Sequence, residues 1–244
     1  MTGLPSGLPA GFGLPGRSFR GNLHTHSNRS DGAFPPADTV QVYRNAGYDF
    51  VAVTGHFRPE FGYPITDTRD LRTADFTTLI GAELHAPRAE AGQSWHIVAV
   101  GLPRSWHFAD VLLDRGHRLT AYAADDAPLQ PQDPLPCQAW VQVRAESLTP
   151  EALLAALKSG HFYSSTGPEF HDVRVEGDQI VVRCSPVTKI LLTGGHPGAE
   201  VAEGGNLTEH AFPLALFQGR HCRLTIEDPT GARAWTNPIH LPEL

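Results

Sequence analysis

The feature that most constrains the fold is an alternation between short apolar runs and segments of helical periodicity, from about residue 19 to residue 168. The run YDFVAVT (48–54) is almost continuous in apolar character, as expected of a strand that is buried on both faces. Strands that alternate with helices imply βα units. We therefore expect an α/β fold for this region, built on a mainly parallel sheet or barrel.

The helical segments are marked by their ends as well as by their periodicity. In TPEALLAALKSG, Thr149 is suited to the N-cap, Pro150 to the first helical position and Gly160 to the C-terminus. Further helices are predicted in PPADTVQVYRNAG (35–47) and FADVLLDRG (108–116). The other apolar runs, which we expect to be strands, are 19–26, 77–84, 96–102, 118–124 and 139–144.

The pattern changes after residue 168. Residues 169–244 hold short apolar runs separated by Gly, Pro and Asp, without helical periodicity, which predicts a small antiparallel β domain. Residues 1–18 are rich in Gly and Pro, which favours a flexible N-terminal segment. The sequence thus predicts three parts: a flexible segment (1–18), a β/α domain (19–168) and a β-rich domain (169–244).

Composition and charge narrow the class of partner. The net charge is -7 and no long basic run occurs, which argues against nucleic acid or an anionic membrane as the main partner. The widely spaced Cys137, Cys184 and Cys222 favour neither a disulfide framework nor a cysteine zinc site. No apolar run has the length of a signal peptide or a membrane span. We expect a cytoplasmic protein that acts on a small molecule.

Potential metal ligands stand at the ends of the predicted strands. His24 and His26 are two residues apart, so they share one face of an extended chain. Ligands of α/β sheets and barrels bind where loops leave the carboxyl ends of the strands. Imidazole and carboxylate suit zinc, manganese or iron, and three or more such ligands with an open position form a catalytic site. The further candidates are Asp31, His56, Glu83, His96, Asp125 and Asp126.

Five segments in this order resemble the motifs of the PHP (polymerase and histidinol phosphatase) family: LHTHSNRSDG, GYDFVAVTGH, GAE, HIVAVG and AADDA. ALKSGHFYSSTGPEF and ARAWTNPI are similar to a branch of metallohydrolases in that family that ends in a small β domain. The resemblance covers residues ~19 to 240. It implies a distorted β/α barrel that holds up to three metal ions and hydrolyses phosphoesters.

The resemblance also implies a ligand set. His24, His26, Glu83 and Asp126 match one complete metal position. Glu83 would bridge to a second ion, for which His96 is a further match, and Asp31 and His56 match two ligands of a third ion. Because His96 begins its apolar run instead of ending it, an ordinary capping or packing role is the alternative for this residue.

The chain departs from the family pattern at several points. Gly55 stands where the family usually has Asp, and Pro128 stands where it usually has His. The usual His-Pro segment after His96 is absent and the chain there is short, with His107 as the only nearby histidine. We therefore expect a shortened barrel with one tightly held divalent ion and one or two weaker sites.

Two functions are consistent with these residues. The first is a metal-dependent hydrolase, by resemblance a phosphoesterase acting on a small phosphorylated substrate through metal-activated water. The second is a degenerate family member that binds metal or ligand with little or no catalysis. Arg29 and Arg58 lie in loops beside proposed ligands and are candidates for contacts to an anion, with a solvated loop arginine as the alternative for each.

Overall fold

The structure is a computed structural model that describes residues 11–86, 95–101, 120, 122–130, 137–194, 199–217 and 221–241. These residues form a 12-stranded sheet and two α-helices. The helices are α1 (Pro36–Asn45) and α2 (Pro150–Lys158). The strands are β1 (Arg17–Thr25), β2 (Phe50–Val53), β3 (Thr77–Ala86), β4 (Trp95–Val100), β5 (Trp140–Ala145), β6 (Phe162–Ser165), β7 (Phe170–Glu176), β8 (Gln179–Gly194), β9 (Ala199–Pro213), β10 (His221–Glu227), β11 (Arg233–Thr236) and β12 (Ile239–His240).

The prediction of an α/β barrel is wrong. The strands form one mixed sheet in the order β4-β3-β2-β1-β5-β6-β11-β10-β8-β7, with β12 beside β10 and β9 beside β8. Only β1, β2 and β3 are parallel neighbours, whereas β4 and β5 run antiparallel to them. No pairing among the described strands joins β4 to the far end of the sheet, so they do not close into a barrel.

The barrel prediction failed because it required a helix between successive strands. Of the described segments that connect β1, β2 and β3, only the first contains an α-helix, and short 3-10 turns at Pro59–Phe61 and Arg69–Leu71 lie in the second. The predicted helix at 108–116 lies outside the described residues. In the predicted strand at 118–124, the described positions 120 and 122–124 are not in a strand.

The two helices cover opposite faces of the parallel part of the sheet. In β2, Phe50 and Ala52 pack in a cluster that includes Leu153 of α2. Val51 and Val53 pack instead with Val40 and Tyr43 of α1. Since successive strand residues point to opposite faces, β2 is buried on both sides, as its continuous apolar sequence predicted.

Helix α2 begins and is anchored as its sequence predicts. The Thr149 side chain accepts a hydrogen bond from the Ala152 amide at 3.3 Å, which satisfies one of the free N–H groups of the first turn. Leu153 and Ala156 face the sheet and are buried. Capping and burial together position this helix against β5 and β3.

The C-terminal strands extend the same sheet. β11 pairs antiparallel with β6, so hydrogen bonding is continuous across residue 168, and the division into domains at that point stays a prediction. Two of the short apolar runs of this region, QIVVRCS (179–185) and KILLTG (189–194), form one continuous strand, β8. A third apolar run, FPLALF (212–217), is not a strand throughout, because β9 ends at Pro213 and Ala215–Phe217 form a 3-10 turn. None of the described helices is long and apolar enough to span a membrane.

Candidate metal centre

The proposed ligands gather at one edge of the sheet. His24 lies near the end of β1 and His26 directly after it, while Glu83 lies in the second half of β3. His56 follows β2 and forms a parallel bridge with Glu83. Because β1, β2 and β3 are parallel, their carboxyl ends reach the same edge.

His96 reaches this edge for a different reason. β4 runs antiparallel to β3 and pairs His96 with His85, so the beginning of β4 lies beside the end of β3. A strand parallel to β3 would instead have begun at the opposite edge of the sheet. The reversed strand direction is therefore what brings His96 beside Glu83.

Asp126 approaches from a separate segment. Its backbone N–H donates to the His24 carbonyl at 3.2 Å, and Ala127 forms a parallel bridge with Thr25. The Asp126 Oδ1 lies 2.9 Å from the His24 Nε2 and 3.4 Å from the His26 Nε2. The neighbouring Asp125 faces elsewhere and accepts hydrogen bonds from the backbone amides of residues 137, 138 and 139. Of the two adjacent aspartates, only Asp126 points at the histidines.

Glu83 is the centre of the cluster. Its side chain is 0% exposed, yet neither carboxylate oxygen has a hydrogen-bond partner. Oε2 faces the imidazole nitrogens of His24 (Nε2, 3.9 Å), His26 (Nε2, 3.5 Å) and His56 (Nδ1, 2.5 Å). Oε1 faces His96 Nδ1 and, at 3.8 Å, His85 Nε2. A buried carboxylate without hydrogen bonds is costly, and a cation between these groups would compensate for it.

The spacing of the donor atoms fits a shared ion. Two donors bound tetrahedrally at 2.0–2.2 Å lie about 3.3–3.6 Å apart. The nitrogen–oxygen separations around His24, His26 and Asp126 range from 2.9 to 3.4 Å. Donors that converge in this way form three overlapping groups, each able to hold a metal ion: His24, His26 and Asp126; His26, His56 and Glu83; Glu83, His85 and His96.

The outer nitrogens of the first two histidines are held in place. His24 Nδ1 lies 2.7 Å from the Thr54 hydroxyl, and His26 Nδ1 lies 2.6 Å from Asp31 Oδ1. A hydrogen bond at Nδ1 leaves the Nε2 lone pair free to face a metal, and such outer partners are typical of histidine ligands. Asp31 thus orients His26, and its other oxygen lies 3.3 Å from His56 Nε2. Its predicted role as a direct ligand stays a prediction.

Both carboxylates at the rim of the cluster are held in their charged form. Hydrogen bonds from His24 and then His26 hold the pKa of Asp126 well below its usual range. For Asp31, burial acts to raise the pKa, but the charge and hydrogen bond of His26 outweigh it and the pKa is lowered. Ionised carboxylates are the form that binds a divalent ion.

Sequence reasoning missed His85. It lies in β3 two residues after Glu83, so both side chains leave the same face of the strand. Both of its ring nitrogens are buried without a hydrogen-bond partner. Burial, and next the nearby charge of Arg58, lowers the pKa of His85 to about 4, which keeps the imidazole neutral. The signal was present, because Glu83 and His85 repeat the period of two seen in His24 and His26.

The predicted anion contacts differ in their surroundings. Arg58 is partly exposed, with its Nη1 3.6 Å from Glu60 Oε1, and lies close enough to influence His85 electrostatically. Arg29 is exposed in the turn that precedes Asp31.

The positions that depart from the motif pattern supply no histidine among the described residues. Pro128 stands where that pattern has a histidine, and its backbone carbonyl accepts a hydrogen bond from the Ala33 amide at 3.1 Å. His107 lies outside the described residues.

Comparison with known proteins adds little to this geometry. No family model matches the chain, and no curated protein matches it. The chain is similar to the crystal structure of a two-domain protein from Bacteroides vulgatus ATCC 8482 that contains a predicted PHP-like metal-dependent phosphoesterase. The two share 12% sequence identity over 93% of this chain and 98% of that chain, with a TM-score of 0.40. A TM-score this low does not establish a common fold, so the candidate centre depends on its own residues.

Proposed function

We propose that this protein is a metal-dependent hydrolase that cleaves a phosphoester. The observation that carries the proposal is Glu83, a fully buried carboxylate whose two oxygens make no hydrogen bond and face imidazole nitrogens on both sides. A divalent ion bound in such a site acidifies a water molecule and polarises a phosphoryl oxygen. Donors of this kind suit zinc, manganese or iron(II).

The first group of donors combines a rigid side with an open one. His24 and His26 are buried and lie at the end of β1, whereas the Asp126 side chain is 68% exposed. Water and a small substrate can therefore approach from the side of Asp126. Three protein ligands with an accessible position are the arrangement that catalytic metal sites use.

Two features beside the cluster favour an anionic substrate. Arg58 contributes a positive charge next to His85 and can contact phosphoryl oxygens. Burial, and to a smaller extent the negative charge of the nearby Glu83, raises the pKa of the Tyr122 phenol. The phenol therefore stays protonated and can donate a hydrogen bond. Tyr122 also lines a cavity of about 260 Å³, together with Ser164, Arg223 and Asn237. This cavity has room for part of a substrate.

One observation favours metal binding without catalysis as the second candidate. A Cβ at position 55 would lie 2.5 Å from the Ser30 hydroxyl. Ser30 therefore fills the space that the Asp of the family motif would need at this position. The centre consequently has one carboxylate fewer than the pattern it resembles. Turnover, measured on protein of known metal content, separates the two functions.

The test is metal analysis followed by activity assays. Protein purified without chelator should contain a divalent metal, and with added Mn²⁺, Zn²⁺ or Fe²⁺ it should hydrolyse p-nitrophenyl phosphate or bis(p-nitrophenyl) phosphate. His24→Ala should lose turnover and the ion of the first group, whereas the matched control His171→Ala, an exposed histidine of β7, should retain both. Metal without turnover of either ester would favour the second candidate. Absence of metal after reconstitution would contradict both.

A further inference from the structure

The inference concerns His85, and it rests on the proposed metal centre. We propose that His85 is a protein ligand of a second divalent ion, which it holds together with His96 and Glu83 Oε1. The role of His85 is to supply the donor that the absent His-Pro segment would have provided. The second position is then a complete three-ligand site and not a weak remnant.

The backbone determines that these three side chains meet. Glu83 and His85 alternate on one face of β3, and the antiparallel register pairs His85 directly with His96 on β4. The imidazole rings of His85 and His96 lie 4.5 Å apart between their centroids. All three donor atoms lie within 4.8 Å of one another. Two rigid neighbouring strands thus present three ligands to one point.

The donor atoms lack any other partner. Glu83 Oε1 and both ring nitrogens of His85 are buried and make no hydrogen bond. His85 Nε2 lies 3.8 Å from Glu83 Oε1, which is too far for a hydrogen bond. Two ligands of one ion, with bonds of 2.0–2.2 Å, lie about 3.3–3.6 Å apart at a tetrahedral angle and at most about 4.4 Å apart, so the 3.8 Å separation leaves room for one ion between them. Buried polar groups in folded proteins are normally satisfied, and a shared ion would satisfy Glu83 Oε1 and one ring nitrogen of His85.

The second position uses different atoms from the first. His24 and His26 converge with Asp126 and face Glu83 Oε2, whereas His85 and His96 face Oε1. The two positions share only the Glu83 side chain. Loss of His85 should therefore remove one ion and leave the other.

Metal stoichiometry tests this assignment without relying on activity. The wild-type chain, reconstituted with Mn²⁺ and freed of excess metal, should contain two ions, and its electron paramagnetic resonance spectrum should show a spin-coupled pair. His85→Ala and His96→Ala should each contain one ion with the six-line spectrum of isolated Mn²⁺. The second ion should bind more than ~100-fold more weakly in either variant, since loss of an outer-shell partner alone costs up to that factor.

Controls distinguish failure of this inference from failure of the proposed function. His171→Ala should keep two ions, and His24→Ala should lose the first. Two coupled ions in His85→Ala, one ion in the wild type, or loss of both ions in His85→Ala would each overturn the role of His85 while a metal-dependent hydrolase remains. A wild-type chain that binds no metal would overturn the proposed function itself. Circular dichroism of His85→Asn, which keeps a polar side chain, should match that of the wild type, and this variant should also lose one ion.

Discussion

Ser30 fills the space that a side chain at position 55 would need. A Cβ built on Gly55 would lie 2.5 Å from the Ser30 Oγ and 3.1 Å from its Cβ. The same hydroxyl donates a hydrogen bond to Asp31 Oδ1 at 3.1 Å, and Asp31 in turn holds His26. Gly55 is thus coupled to the metal centre through the turn that carries Ser30.

Gly55→Ala should destabilise the fold and loosen the centre. The added methyl group must push Ser30 away, and overpacking of this kind costs about 1–3 kcal/mol. Thermal unfolding should show a lower midpoint, and the affinity for metal should fall because Asp31 moves with Ser30. The double variant Gly55→Ala/Ser30→Gly should recover most of the loss, with Ser30→Gly alone as the control. If the double variant is no more stable than Gly55→Ala, the steric explanation fails.

Asp31→Ala should weaken metal binding without removing a site. Asp31 contacts the outer nitrogen of His26, so its loss frees the ring to rotate while every donor of the first group remains. Loss of such an outer partner typically lowers metal affinity by about 10–100-fold, and we expect a decrease of about that size for Asp31→Ala. Titration monitored by calorimetry should show the same stoichiometry at saturation. A lower stoichiometry would identify Asp31 as a direct ligand.

Removal of metal should lower the unfolding midpoint of the wild type but not that of Glu83→Gln. An ion held at 1,000 times its Kd stabilises the wild type by about 4 kcal/mol, so EDTA should lower its unfolding midpoint. Glu83→Gln replaces a fully buried charge with a neutral group of similar size. Its midpoint should not respond to EDTA and should equal or exceed that of EDTA-treated wild type. A variant less stable than the metal-free wild type would show that Glu83 is compensated without an ion.

Substitution of the adjacent Asp125 and Asp126 should have different effects: Asp125→Ala mainly on the stability of the fold, and Asp126→Ala mainly on metal binding. Asp125 accepts three backbone hydrogen bonds at 2.8 to 2.9 Å, so Asp125→Ala should cost roughly 2–4 kcal/mol and displace the segment that carries Asp126. Asp126→Ala should lower the stability of the metal-free protein less than Asp125→Ala does, because the Asp126 side chain is 68% exposed and contacts only the two histidines, and it should abolish tight binding of the first ion. Chemical denaturation and metal analysis of both variants check this. Equal effects of the two substitutions on stability would contradict the distinction.

The sequence by itself determined the local elements and the first pair of ligands. The continuous apolar run of β2, the caps of α2 and the period of two that sets His24 and His26 on one face are properties of neighbouring residues. Backbone sterics and side-chain alternation express such properties in almost any context. The alternation of strands and helices predicted parallel strands, and β1, β2 and β3 do pair in parallel, although the barrel expected from the same alternation is wrong.

Tertiary structure decided the rest of the centre. Apolar periodicity predicts that β4 is a strand but does not encode the direction in which it pairs, because pairing depends on contacts with a distant strand. The antiparallel register opened the expected barrel into a sheet and brought His96 opposite His85. The hydrogen bond of Asp31 to His26 and the collision between Ser30 and a side chain at position 55 are likewise non-local. Alternation and capping act within a few residues, whereas the meeting of donors from β1, β3, β4 and the Asp126 segment exists only once the sheet has formed.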